Sequence, residues 1–262
     1  MFYKFMGGSD EAALLDIFDK AVVGGSVKFG TAWDFNDPFE FKFSAVAPPS
    51  REHFDAWHRT HAPERTPREL ENAWASLQGS AAPWNTELTP RIEALRNFYV
   101  LCLAQRWDSH LMWGHYTNSH RGFVIRYKPD LQDVLRAMPG HIGDGDVVYA
   151  HEAPALRWFD DTPDAMGQIL STKPSEWAYE RECRFVNSGP PGRPAVFSSV
   201  DPQLIDGVIL GVRAPEGLIK AACRLRAERP GFKVEQVTSE RASYALVSHE
   251  VKDNVRTIGE IL

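Results

Sequence analysis

The sequence predicts an α+β domain built on a mixed, mostly antiparallel sheet and carrying a helical insertion, and three observations lead there. Short runs of strand-forming residues recur from Phe2 to Ser248, punctuated by Gly and Pro. The run F-Y-V-L-C-L-A-Q, Phe98 to Gln105, is continuously apolar and of strand length, which predicts a central strand covered on both faces. Between residues 48 and 97 the composition shifts to Pro, His, charged residues and helix formers, so this segment reads as an insertion or lid within one domain spanning 1–262.

Composition bounds the function. A hydrophobic share of 43%, with eight Trp and fifteen Phe, suffices for a large core and excludes a disordered chain. The net charge of -6 argues against a non-specific nucleic-acid footprint. Cys102, Cys183 and Cys223 stand far apart without a C-x-x-C, suggesting neither a disulfide framework nor a zinc knuckle; a reduced, cytoplasmic protein is expected. The first eight residues lack a basic region followed by an apolar run, and no apolar run reaches about 18 residues, so neither a secretion signal nor a membrane partner is expected.

In order along the chain, Phe2 to Met6 reads as a strand of aromatics around Lys4, stopped by Gly7-Gly8. Ser9 stands as N-cap of a helix with Asp10 and Glu11 in its first turn and Ala12, Leu15, Phe18 and Val22 as its apolar stripe, ended by Gly24-Gly25. Val27 to Thr31 is the second strand. It leads into W-D-F-N-D-P-F-E, Trp33 to Glu40, where Asn36-Asp37-Pro38 is a turn signature crowded by Trp33, Phe35, Phe39 and Phe41. That corner reads equally as a rigid buried loop or as one wall of a ligand pocket. In the insertion, Ser50, Thr66 and Thr89 are placed to cap helices at 51–60, 67–78 and 90–97. His53, His58 and His61 complete no ligand set, because their spacing puts only two near one helix face and no Cys or carboxylate joins them; they read as exposed helix histidines.

After the central run, Asp108 stands as cap of a short helix through M-W-G-H-Y, Met112 to Tyr116, and Gly122 opens a strand from Phe123 to Tyr127. Trp113, His115 and Tyr116 are either core residues or a surface that packs on a flat ligand and bonds its polar edge. Val147 to His151 reads as a strand and Asp164 to Ser171 as a helix. Then comes K-P-S-E-W-A-Y-E-R-E-C-R-F-V, Lys173 to Val186. If the chain is extended after Tyr179, Glu180, Glu182 and Arg184 share one face and Arg181, Cys183 and Phe185 the other. Two carboxylates that close repel, so at least one should titrate above the ordinary value of about 4.3 unless Arg184 or Lys173 offsets the repulsion. Such a group fixes ribose hydroxyls or takes up a proton; otherwise it is a solvated ion pair on an edge strand. A turn at Pro190 to Pro194 sends Ala195 to Ser199 back along this strand. Gly207 to Gly211, a helix from Pro215 to Glu228 and Lys233 to Val237 form a β-α-β end, closed by a strand near Tyr244 to Ser248.

F-N-D-P-F-E at Phe35 to Glu40, M-W-G-H-Y with the following H-R-G at His120 to Gly122, and W-A-Y-E-R-E-C-R at Trp177 to Arg184 resemble, in that order, the motifs of the bacterial "domain of unknown function 2971" family. With Y-K-F at Tyr3 and G-V-I-L-G at Gly207, the resemblance covers nearly the whole chain outside the insertion. More distantly, an aromatic first strand, a helix, a second strand with its corner and a late strand bearing E-R-E are similar to the ADP-ribosyltransferase fold. What that second resemblance implies is NAD as substrate, with Glu182 on the nicotinamide ribose and Glu180 toward the acceptor. The Arg or His of that superfamily's first strand is replaced by Tyr3 or Lys4, and its S-T-S triplet by Phe35-Asn36-Asp37. Tyr3, Lys4, Asn36, Asp37, Trp113, His115 and Tyr116 are therefore the residues expected to grip NAD.

The chemistry agrees with the resemblance in one respect: cleaving a bond from ribose to nicotinamide develops positive charge that a carboxylate opposes. No G-x-G-x-x-G, Walker A or G-x-S-x-G motif is present, which disfavours a Rossmann dehydrogenase, a P-loop enzyme and a serine hydrolase. The expectation is an ADP-ribosyltransferase-like enzyme, of toxin or phage-defence type, acting on a protein or nucleic-acid acceptor, with no metal and with room for a neutralising partner. The alternatives are a toxin-type nuclease using Glu180, Glu182, Asp37 and His115, and a non-catalytic ligand sensor.

Overall fold

The computed structural model describes residues 1–31, 35, 37, 40–78, 93, 95–157, 165–240 and 242–252. The protein is α+β, with a mixed, mostly antiparallel sheet. Its strands are β1 (Phe2–Met6), β2 (Ser26–Thr31), β3 (Ser44–Ala45), β4 (Phe98–Ala104), β5 (Phe123–Tyr127), β6 (His141–Asp146) and β7 (Val148–Ala150). They continue with β8 (Ala155–Leu156), β9 (Thr172–Pro174), β10 (Glu182–Ser188), β11 (Ala195–Ser199), β12 (Ile205–Leu210), β13 (Lys233–Ser239) and β14 (Leu246–Glu250). The helices are α1 (Glu11–Phe18), α2 (Arg51–His61), α3 (Pro67–Gln78), α4 (His110–Tyr116), α5 (Leu131–Arg136), α6 (Ala165–Ser171) and α7 (Glu216–Glu228).

The apolar run Phe98 to Ala104 is the hub. Along one edge β4 pairs with β10 over its whole length, from Phe98 opposite Ser188 to Ala104 opposite Glu182. Along its other edge it meets β2 only at Tyr99 and Val100, and β1 only at Ala104. β1 and β2 therefore part beside Leu101 to Leu103, and Lys4 Nζ donates to the Cys102 carbonyl there at 2.9 Å, taking the place of a strand partner. From this parting the sheet runs one way through β1, β5, β12, β13 and β14 and the other way through β2 and β11, with β6 outside β10. The pairing β12 with β13 is parallel and bridged by α7, as the β-α-β reading requires; the other pairings of the large sheet are antiparallel.

Alternation sorts β4 and β10 into two faces. Tyr99, Leu101, Leu103, Cys183 and Phe185 enter a core that includes Leu14 and Phe18 of α1, Leu131 and Leu135 of α5, and Leu218, Ala222 and Leu225 of α7. Val100 and Val186 face the other way, toward Phe54 of α2, Ala73 and Leu77 of α3, and Ile169 and Leu170 of α6. The segment expected as an insertion thus contributes two helices that cover the sheet.

Several local expectations are corrected. Asp10, not Ser9, caps α1, its Oδ1 accepting from the Ala13 N–H at 2.8 Å, and a π-helical turn, Asp19–Val23, carries the helix on toward Gly24. Ser109 rather than Asp108 caps α4, accepting from Met112 N–H. β11 pairs with β2, not with β10, since the Pro190 to Pro194 turn carries the chain across the end of β4. The helix expected at 90–97 lies largely outside the described residues, with only a 3₁₀ turn, Leu95–Asn97, observed. Ser50 and Thr66 cap as expected, the latter in a reciprocal capping box with Glu69.

Candidate active site

Glu180 and Glu182 do not lie on the one extended strand that alternation predicts; the chain brings them together by a different route. Ser175–Glu180 is a 3₁₀ turn, Arg181 is left-handed at φ 45°, and β10 starts at Glu182. Only Glu182 and Arg184 share a face by alternation. Arg181 swings Glu180 back, and the two carboxylates meet at Lys173 Nζ, 2.6 Å from Glu180 and 3.3 Å from Glu182. Lys173 sits on β9, which pairs with β7 in a two-stranded parallel sheet.

A third carboxylate completes the group. Glu40, from the turn after β2, lies 3.7 Å from Lys173 Nζ and accepts a hydrogen bond from Arg184 Nη2. Arg184 Nε donates to Glu182 at 2.9 Å, its Nη1 to the Leu170 carbonyl at 2.6 Å, and its guanidinium lies against the rings of Phe35 and Phe41. All five charged side chains are buried. Three carboxylates against two cations leave one negative charge in excess when every group is ionised. Lys173 Nζ fills the point on which the carboxylates converge. Among the described residues no group of three or more His, Cys, Asp or Glu is arranged to hold a metal ion.

The protonation states separate. Burial alone would push the Glu182 carboxyl up, but the adjacent Arg184 guanidinium and Lys173 ammonium outweigh it and bring its pKa down to about 2. Glu40 goes the other way: its burial exceeds what Arg184 and Lys173 return, and its pKa is raised. Burial works against the charged form of Lys173, yet the carboxylates around it raise its pKa. The repulsion expected between Glu180 and Glu182 is thus offset by Lys173 and Arg184. Around them, Tyr116 donates to Glu180 Oε1 at 2.6 Å, and Tyr149, whose hydroxyl burial pushes up to about 12, accepts from the Glu182 N–H at 2.8 Å.

Where β1 and β2 part, a cleft of about 490 Å³ opens onto this group, within the size range of small-molecule sites. Tyr3, Lys4, His115, Tyr116, Glu180 and Glu182 all line it, so residues expected to act together do share one cleft although up to 179 positions separate them. Lys28, Gly30 and Thr31 of β2 form its far wall. Trp113 does not belong: it is wholly buried, edge-on to Phe5, with its ring N–H donating to the Trp107 carbonyl at 2.7 Å. Helical geometry sets His115 about 200° round α4 from Trp113 and so outward, while Tyr116, a turn beyond Trp113, is half-buried and reaches the cleft with its hydroxyl on Glu180. Asp37 does not line the cleft; its carbonyl accepts from the Glu40 N–H at 3.2 Å, closing the turn that delivers Glu40. Asn36 lies outside the described residues. Beside His115, the rings of Trp177 and Tyr179 lie at 6.3 and 6.4 Å, and Lys173 Nζ is 4.9 Å from the Trp177 ring.

Two members of the charged group, Lys173 and Glu40, were not singled out as site residues from sequence, and Arg184 was expected only as a charge beside the two glutamates. A signal existed for both, since Lys173 opens the Glu-Arg-Glu stretch and Glu40 ends the F-N-D-P-F-E motif. Residues 112–185, which hold α4 from Met112 on, Lys173, both site glutamates and Arg184, match the family described as Protein of unknown function (DUF2971). No curated protein and no solved structure matches the chain. Among the described residues, no helix is long and apolar enough to cross a membrane.

Proposed function

We propose that the cleft between β1 and β2, part of whose lining lies in the segment 112–185 that matches DUF2971, binds NAD and transfers its ADP-ribose to a macromolecular acceptor, with Glu182 as the ribose-side carboxylate and Glu180 on the acceptor side. The observation that carries this reading is the Glu182 carboxylate, held ionised by Arg184 and Lys173 at the wall of a ligand-sized cleft. Breaking the bond from ribose C1′ to the nicotinamide nitrogen sends the electron pair out with neutral nicotinamide and leaves positive charge on the ribose. A preorganised anion beside that carbon stabilises the charge as it develops. The acceptor then bonds to C1′ and gives up its proton.

The lining has the polarity such a substrate needs. Glu180 and Glu182 lie at one side for hydroxyl groups, Lys4 and Lys28 supply positive charge for a diphosphate, and Tyr3, His115 and Tyr116 offer rings for the flat ends. Chromatography of nicotinamide, with and without cell lysate as acceptor source, tests the reading. Glu182→Gln is expected to lower release and transfer about a hundredfold or more, about 3 kcal/mol, as removal of a preorganised electrostatic group does elsewhere. Glu180→Gln is expected to spare release to water and damage transfer. Equal release from wild type and Glu182→Gln would end the proposal. Degradation of RNA or DNA by the wild type, without nicotinamide, would favour a nuclease instead.

A further inference from the structure

We infer that Glu40, which does not touch the cleft, is a positioning residue that sets the Glu182 carboxylate through the Arg184 guanidinium. The inference rests on the proposed role of Glu182, and it deepens that reading by extending the site to the F-N-D-P-F-E corner.

Arg184 is the only path between the two carboxylates that the hydrogen bonds trace among the described residues. Its Nη2 donates to Glu40 Oε1 and, at 3.2 Å, to Glu182 Oε2, while Nε donates to Glu182 Oε1 at 2.9 Å. The planar fork therefore grips Glu182 with two adjacent donors, and the outer edge of the same plane is anchored on Glu40. Nη1 fixes the plane to the Leu170 carbonyl, and Phe35 and Phe41, edge-on to each other at 4.9 Å, lie within 5.5 Å of its central carbon. Arg184 is thus constrained on every side by β10, α6 and the corner that carries Glu40.

The second oxygen of Glu40 shows what kind of residue this is. Oε2 is buried without a hydrogen-bond partner among the described residues and stands 3.7 Å from Lys173 Nζ, and the side chain is fully enclosed. A carboxylate kept only for stability would be more cheaply replaced by an apolar side chain in such a place, because burying a charge costs more than one arginine contact returns. What Glu40 gives in exchange is geometry: without it, Nη2 has one acceptor, and the guanidinium is free to rotate away from the plane that holds both oxygens of Glu182. A displacement of about 1 Å in a catalytic group is enough to lower turnover about a hundredfold.

The test uses the full chain with Glu40→Leu, which removes the acceptor and the charge, and Glu40→Gln, which keeps an amide oxygen for Arg184 Nη2. In the ligand-free protein, the carboxyl ¹³C resonance of Glu182, assigned by its loss in Glu182→Gln, is followed by NMR. It is expected to move in Glu40→Leu and to return toward the wild-type position in Glu40→Gln. An unmoved resonance in Glu40→Leu, or equal displacement in both variants, overturns the inference, the latter because charge alone would then account for it. With NAD, Glu40→Leu is expected to lower kcat about ten- to a hundredfold at nearly unchanged KM, and Glu40→Gln to recover most of the loss. A raised KM with intact kcat would also overturn it. A wild type that releases no nicotinamide defeats the NAD reading alone, since the resonance of Glu182 still judges the role of Glu40.

Discussion

Lys173 is the residue on which the charge balance of the site turns. Its ammonium faces Glu40, Glu180 and Glu182, and removing it leaves three buried carboxylates with Arg184 as their single cation among the described residues. Lys173→Met is expected to cost about 3–5 kcal/mol in urea unfolding, because it strands buried charge. Adding Glu180→Gln should recover part of that cost, and strict additivity of the two would show that they do not interact. Glu182 gives the site its acid sensitivity. Its folded value of about 2 lies below the ordinary 4.5, so its contribution is fully present above the unfolded pKa and is lost as pH falls from about 4.5 through about 2. The size is about 3 kcal/mol for this buried group. Glu40 has the opposite sign: its raised pKa means that stability is lost as pH rises through its folded value. Urea unfolding between about pH 5 and pH 2.5 should therefore show a decline in the wild type that is flatter by about 2 kcal/mol in Glu182→Gln. Coinciding profiles would overturn this account.

At the scale of the element, the junction between the 3₁₀ turn and β10 decides whether the carboxylates meet. Arg181 holds φ 45° there, a conformation costing an L residue roughly 1–2 kcal/mol and a β-branched one more. Arg181→Gly should fold with stability close to wild type, while Arg181→Val should lose about 1–2 kcal/mol and pull Glu180 away from Lys173. Melting curves and a crystal structure of the valine variant check both, and a valine variant as stable as the glycine one would refute the strain. The capping box of α3 is a simpler case: Thr66→Ala removes the acceptor for the Glu69 N–H and should cost about 1 kcal/mol.

At the scale of the molecule, the site exists because β1 and β2 part on one edge of β4. Gly30 stands on the β2 side of that parting, where a Cβ would meet no atom of the described residues within 4 Å. Gly30→Val should therefore leave stability unchanged or slightly higher, since valine favours strands, while its side chain fills the cleft and raises KM for NAD. Loss of stability, or an unchanged KM measured by nicotinamide release, would show that the wall is elsewhere.

What the sequence determined by itself was whatever depends on neighbours along the chain. The apolar run at Phe98, the caps at Ser50 and Thr66, the β-α-β end and the pairing of Glu182 with Arg184 on one face all follow from periodicity or from side chains bonding their own backbone. The motifs of the Asn36 corner, α4 and the Glu-Arg-Glu stretch likewise marked where the site would be sought. Only the tertiary structure decided how those pieces meet. Glu40 reaches Arg184 across 144 positions, and β11 crosses to β2 instead of returning along β10. Trp113 turns into the core while its neighbours His115 and Tyr116 line the cleft, and Arg181 replaces strand alternation by a left-handed residue. For the charged group the physical reason is that a charge is buried only where opposite charges from distant segments arrive together; for β11 and Trp113, as for that group, the arrival is set by the packing of the whole sheet rather than by any one stretch of chain.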